Sequence, residues 1–159
     1  MTATTTITAE PGSPILDMSR DFDATPEQLL RAHTEPELLA QWLGPHRLTT
    51  EVEQLDARHG GAYRFINGER DGSATYAFRG VHHGDPTVDG ITRTFEFEGM
   101  PGHVTLEKVW FEALGDGRTR LHARSVSMAV EDRDGMLASG MEKGVNEGYE
   151  RLDALLPTL

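Results

Sequence analysis

The chain has 159 residues, with 26 acidic against 15 basic groups, a formal charge of −11 and no cysteine. The acidic balance argues against nucleic acid and anionic membranes as partners, because both call for a cationic surface. The lack of cysteine excludes disulfides, thiol nucleophiles and cysteine-held metals. The length suits a single domain with a real core, and 37% apolar residues plus 17 glycines is ordinary for a globular chain. The chain does not open on a basic segment followed by an apolar run, and no stretch nears the ~18 apolar residues of a membrane span. The expected setting is the reducing cytoplasm.

Residues 1–12 are threonine-rich and end in Pro11-Gly12, a composition that predicts a disordered tail ahead of one domain over 13–157. A strand follows from Ile15, with Met18 and Phe22 as apolar contacts. Thr25-Pro26-Glu27-Gln28 reads as a helix start: Thr25 can cap, Pro26 suits the first helical position, and Gln28 completes a capping box. Pro36 keeps that helix short. A second short helix carries Leu38, Leu39, Trp42 and Leu43 and stops at Gly44-Pro45.

From Thr49 onward alternation and turns predict six strands, over Thr49–Asp56, Gly61–Asn67, Ala74–His82, Gly90–Glu98, Val104–Leu114 and Thr119–Met128. The breaks contain Gly60-Gly61, Asp71-Gly72, Gly84-Asp85-Pro86, Pro101-Gly102 and Gly115-Asp116-Gly117, which are hairpin chemistry. Connections this short imply antiparallel neighbours. A long helix is predicted from Gly135 to Leu156, because Leu137, Met141, Val145, Tyr149, Leu152 and Leu156 fall on one helical face and Pro157 stops it. Gly140, Gly144 and Gly148 form a second row beside that stripe. Each costs about 1 kcal/mol against alanine, so the row predicts close approach of a strand or a ligand. The fold class is α+β: a curved antiparallel sheet wrapped around a long C-terminal helix, with two short helices after the first strand.

These features resemble the Hsp-90 ATPase activator homologue (AHSA-like) proteins of the START/SRPBCC superfamily, which have the helix-grip fold. Five segments carry the resemblance from Ile15 to Leu156. Thr34-Glu35-Pro36-Glu37-Leu38 with Gln41-Trp42-Leu43-Gly44-Pro45 is similar to the signature between the short helices. Gly60-Gly61-Ala62-Tyr63-Arg64-Phe65 is similar to the glycine–arginine–aromatic strand. Asp71-Gly72 and Phe78-Arg79-Gly80-Val81 match the next hairpin, and Gly148-Tyr149 with Leu152 and Leu155 matches the last helix. The chain departs from the pattern at Leu43, where an aromatic is common, and at His82-His83. The resemblance implies an apolar cavity between sheet and helix. It leaves function open, since the superfamily holds lipid and hormone binders and polyketide cyclases.

The candidate pocket-lining residues are Trp42, Tyr63, Phe65, Phe78, Phe95, Phe97, Trp110, Met141, Val145 and Tyr149. A closed core is the competing arrangement for the same aromatics. His82 and His83 would point to opposite faces, so they predict a solvated strand end rather than a metal site. Arg93 and Lys108 share parity with candidate pocket aromatics, and their long side chains are expected to reach the rim. No catalytic residue, metal or cofactor is assigned: the chain has no HExxH, no Gly-x-Ser-x-Gly elbow and no phosphate loop. Three functions follow in order. The first is a non-enzymatic module for a small hydrophobic or amphipathic ligand. The second is a cyclase/aromatase-like enzyme. The third is a chaperone-associated, stress-response interaction protein, drawn from the family name alone. Oligomeric state is not encoded legibly.

Overall fold

The structure is a computed structural model and describes residues 3–159. Its strands are β1 (Thr6–Thr8), β2 (Ile15–Phe22), β3 (Leu48–Leu55), β4 (Ala62–Glu69), β5 (Thr75–Val81), β6 (Ile91–Phe97), β7 (Val104–Gly115) and β8 (Arg118–Val126). They form one antiparallel, curved open sheet in the order β1-β2-β8-β7-β6-β5-β4-β3. The helices are α1 (Pro26–Thr34), α2 (Pro36–Trp42), α3 (Val130–Ala138) and α4 (Met141–Leu155). The helix-grip architecture is therefore present, with the two short helices following the first strands.

Local chemistry explains the element ends. At the start of α1 the Gln28 amide N–H donates to Thr25 Oγ1 at 3.2 Å, and the Thr25 N–H donates to Gln28 Oε1 at 2.9 Å. This reciprocal pair is the capping box expected from Thr25-Pro26-Glu27-Gln28. Pro36 begins α2 at the residue where it would have ended α1.

Two expectations need correction. The first concerns the tail predicted over residues 1–12. Residues 1–2 lie outside the described residues, but Thr6–Thr8 forms β1, with Ile7 opposite Met18 of β2. Thr-Ile-Thr is an alternating β-branched triplet, and the open edge of β2 gives it a partner. The second concerns the last helix. Where one helix is expected from Gly135 to Leu156, the structure has α3 and α4, interrupted at Gly140, whose φ is 84°. That left-handed conformation is inexpensive only for glycine. Gly140 therefore belongs to the break and not to a packing row. Pro157 falls in a final 3₁₀ turn, Leu156–Thr158.

Helix α4 packs tightly at one end and stands off at the other. Its buried residues are Gly148, Tyr149, Leu152 and Leu155, all in the C-terminal half. Tyr149, Leu152 and Leu155 join Phe22, Leu29, Ala32, Ile91, Phe111 and Leu121 in the hydrophobic core. Arg20, 3% exposed, reinforces the contact: its guanidinium donates to Asp153 Oδ1 at 3.0 Å and Oδ2 at 2.6 Å and lies over the Phe22 ring. Toward the N-terminal half, Met141 and Val145 are only partly buried. Gly148 is where α2 comes closest, since an added Cβ would sit 3.1 Å from the Trp42 carbonyl oxygen. The glycine row thus admits the end of α2, not a strand.

Candidate functional site

The gap left under the N-terminal half of α4 is a cavity of about 380 Å³. Its wall is an aromatic ribbon across β4, β5 and β6. Tyr63 and Phe65 stack at 6.5 Å between ring centroids, Phe65 and Phe78 at 5.0 Å, and Phe78 and Phe95 at 5.3 Å. Cross-strand register places Phe65 directly opposite Phe78, so the ribbon follows from alternation on adjacent strands. Tyr63 leans across Gly80 and donates from its hydroxyl to the Thr94 carbonyl at 2.5 Å. A Cβ at Gly80 would fall 1.9 Å from that carbonyl oxygen, which explains the glycine in Phe78-Arg79-Gly80-Val81.

Eight of the ten expected residues line this cavity: Trp42, Tyr63, Phe65, Phe78, Phe95, Met141, Val145 and Tyr149. Phe97 and Trp110 do not. The Phe97 ring packs on Phe78 at 5.2 Å and covers Gly99, so it sits beyond the cavity toward the β6–β7 turn. Trp110 stacks on His122 at 5.0 Å on the opposite face of the sheet, beside the exposed Lys108. In β7 the inward residues are Thr105, Glu107, Val109 and Phe111, which leaves Trp110 pointing outward. The buried neighbours Val109 and Phe111 carry that signal in the sequence.

A row of polar groups crosses the inner face. Arg93, Glu107 and Ser125 lie opposite one another on β6, β7 and β8. Arg93 Nε donates to Glu107 Oε1 at 3.4 Å, and Ser125 Oγ donates to Glu107 Oε2 at 3.4 Å. Arg93 does not reach the rim. Its guanidinium stays inside over the Tyr63 ring, with the carboxylate it needs directly across the ladder. Burial pulls its pKa down, but Tyr63 and Glu107 outweigh that and leave it above the ordinary value.

Three buried groups complete the polar end. His33 donates from Nδ1 to the Leu29 carbonyl at 2.7 Å, so Nε2 is left as an acceptor, and burial pushes its pKa down to about 4. Burial, and after it Glu107, push the Tyr149 hydroxyl up to about 12. Burial also raises the Tyr63 phenol. All three side chains are therefore neutral near pH 7. His33, Arg93 and Glu107 were not among the expected lining residues; Arg93 facing Glu107 is legible only once the β6–β7 register is known.

His82 also departs from expectation. It is 1% exposed and lies against Tyr63, with Nδ1 3.1 Å from the Gly61 carbonyl oxygen. His83, on the other face, is the exposed one. Among the described residues no cluster of three His, Asp or Glu side chains is placed to hold a metal ion, and no helix is long and apolar enough to cross a membrane. A larger surface depression of about 870 Å³ lies beside β1, β2 and β8. Its charges are matched among themselves, Arg20 with Asp153, Arg120 with Asp21 and Arg118 with Asp23, and it lacks the aromatic lining of the inner cavity.

Comparison with known proteins agrees with this architecture. The family model described as activator of Hsp90 ATPase homolog 1-like protein matches residues 23–157. A search of curated proteins finds no match. Among solved structures, a Rhodobacter sphaeroides protein is 29% identical with a TM-score of 0.85, covering 98% of this chain and 99% of that one. A Chromobacterium violaceum protein is 25% identical with a TM-score of 0.78, over 90% of this chain and 96% of the other. An AHSA1 protein from Silicibacter pomeroyi shares the fold at 20% identity and a TM-score of 0.73, over 91% and 98% of the two chains. The family match and the helix-grip architecture lead to one identification: this chain belongs to the activator of Hsp90 ATPase homolog 1-like family.

Proposed function

We propose that this protein is a binding module that holds a small hydrophobic or amphipathic molecule between the sheet and α4. The observation that carries the proposal is the cavity of about 380 Å³, walled by stacked aromatics and carrying polar groups at one end. Ligand sites of soluble proteins commonly span ~300–1,000 Å³ and combine an apolar wall with a few fixed polar groups. A ligand's apolar body would lie on Phe65, Phe78 and Phe95, and its polar end would meet Arg93 and Glu107. The test is an NMR titration with fatty acids, sterols and flat aromatic compounds. Binding should move the amide signals around Phe95 and Tyr149. If no member of the panel moves them, the proposal fails.

One observation favours a second reading, a cyclase/aromatase-like enzyme. His33, a neutral imidazole, and Tyr149, a phenol, both line this cavity, the residue types of a base and a proton donor in one largely apolar site. Conversion of a poly-β-ketone substrate, lost in His33→Ala or Tyr149→Phe, would support it. No conversion leaves the binding module. Chaperone activation rests on the family's description alone, and stimulation of the 90-kilodalton chaperone's ATPase would be its test.

A further inference from the structure

Helix α3 has no place in the hydrophobic core. Its apolar residues Val130, Met136 and Leu137 are only partly buried, and its one buried residue is a charged one, Arg133. Among the described residues two hydrogen-bonded ties join α3 to the sheet. Arg133 Nη1 donates to the Ile15 carbonyl of β2 at 2.9 Å, and His103 Nδ1, just ahead of β7, donates to Asp132 Oδ1 at 2.9 Å. The other Arg133 bonds return to its chain neighbour Asp134.

The helix has little stability of its own. It is nine residues long, and Ala129 at its N-cap supplies no side-chain bond. Gly135 sits within it in open space, and Gly140 turns the chain after it at a φ of 84°. Isolated helices shorter than ~12–15 residues are marginal in water, and an interior glycine weakens them further. Loss of the two ties therefore melts α3 instead of swinging it out intact. Segments with few buried apolar contacts are the ones that open locally while the rest of the fold stays closed. The C-terminal half of α4 does not share this weakness, because Tyr149, Leu152 and Leu155 fix it in the core.

Helix α3 also stands between the cavity and solvent. Met136 and Ser139 line the cavity, and Ser139, at the end of α3, is exposed as well, so the inner space meets solvent at the α3–α4 junction. We infer that α3 is a lid: it melts off the sheet when the Arg133 and His103 ties break, and a ligand enters and leaves the cavity through that opening. The inference rests on the binding-module reading and adds the regulation of access to that same site.

Two variants move the lid in opposite directions. Arg133→Ala removes the buried tie from a helix outside the core, so the fold should persist. Gly135→Ala adds a Cβ that meets nothing within 4 Å and strengthens the closed helix. Hydrogen exchange of the unliganded protein, read by NMR, should show the α3 amides opening together and well before those of Tyr149 and Leu152. Exchange in α3 should quicken about tenfold in Arg133→Ala, the loss of one charged hydrogen bond, and slow about fivefold in Gly135→Ala. Neither variant should change exchange at Tyr149 or Leu152. Stopped-flow fluorescence with the uncharged dye N-phenyl-1-naphthylamine then reads access to the cavity. Association and dissociation rates should rise together about tenfold in Arg133→Ala and fall together about fivefold in Gly135→Ala, with Kd held within about twofold. Exchange of α3 only at the rate of the core would overturn the inference. So would dye rates that ignore both variants, or a change in Kd carried by dissociation alone, which would make α3 a plain wall of the site; either result spares the binding module. Failure of the dye and of the fatty acid, sterol and aromatic panel to bind removes the module and the lid with it.

Discussion

Three glycines spaced four apart should respond to the same substitution in three different ways. In Gly144→Ala the added Cβ meets only Pro45, at 3.9 Å, an ordinary contact. The helix-propensity gain of about 1 kcal/mol should then appear as stabilisation. In Gly148→Ala the same gain is opposed by a Cβ placed 3.1 Å from the Trp42 carbonyl oxygen and 3.5 Å from the Gly44 nitrogen. Trp42 is held by its indole bond to Ala32, so α2 cannot withdraw freely. Crowding of this kind costs roughly 1–3 kcal/mol, which gives a net loss of about 1 kcal/mol. In Gly140→Ala no atom lies near the new Cβ, but φ is 84°, and a left-handed alanine costs about 1–2 kcal/mol. Urea unfolding measures all three. With m of about 2 kcal/mol/M, each kcal/mol moves the midpoint by about 0.5 M. The midpoint should rise for Gly144→Ala and fall for the other two. If Gly148→Ala stabilises as much as Gly144→Ala, the close approach of α2 to α4 is not what that glycine serves.

The buried imidazole of His33 makes stability depend on pH. Its folded-state pKa of about 4 lies below the ordinary 6.5. Stability is complete above about pH 6.5 and is lost as pH falls toward 4, because only the unfolded chain takes up the proton. The loss is about 3 kcal/mol. His33→Gln should flatten that slope in urea titrations run across the window; His82, lowered in the same direction, keeps some of it in the variant. An unchanged slope would mean that His33 is not held neutral by burial. Asp153→Ala strands the Arg20 charge at 1% side-chain exposure, with Asp153 itself 40% exposed. The expected cost is about 3 kcal/mol, or a fall in Tm of roughly 6–12 °C by circular dichroism, and a change under about 1 °C would refute the clamp. Trp110→Ala should leave cavity binding unaltered, since Trp110 stacks on His122 on the outer face; a loss of affinity comparable to that in Phe78→Ala would contradict the assigned strand orientation.

Local chemistry alone determined much of this protein. Hairpin glycines and alternation placed six strands to within a few residues, and the Thr25 capping box and Pro36 delimited α1 and α2, because these signals act over a handful of neighbouring residues. Alternation also gathered Tyr63, Phe65, Phe78 and Phe95 on one wall. It does not say which face of β7 turns inward, and Trp110, expected in the lining, faces out; parity fixes which residues share a face, and only packing fixes which face is covered. The break at Gly140 is hidden in the sequence for a similar reason, since a glycine that ends one helix and a glycine that admits a neighbour look alike in a periodic stripe. The polar end of the cavity was decided by tertiary structure alone. Arg93, Glu107 and Ser125 come from three strands and meet through register, and His33 joins them from α1 across the core. A half-buried ion pair is a relation between distant segments, and it takes form only when the sheet curves around α4 and leaves its N-terminal half standing clear.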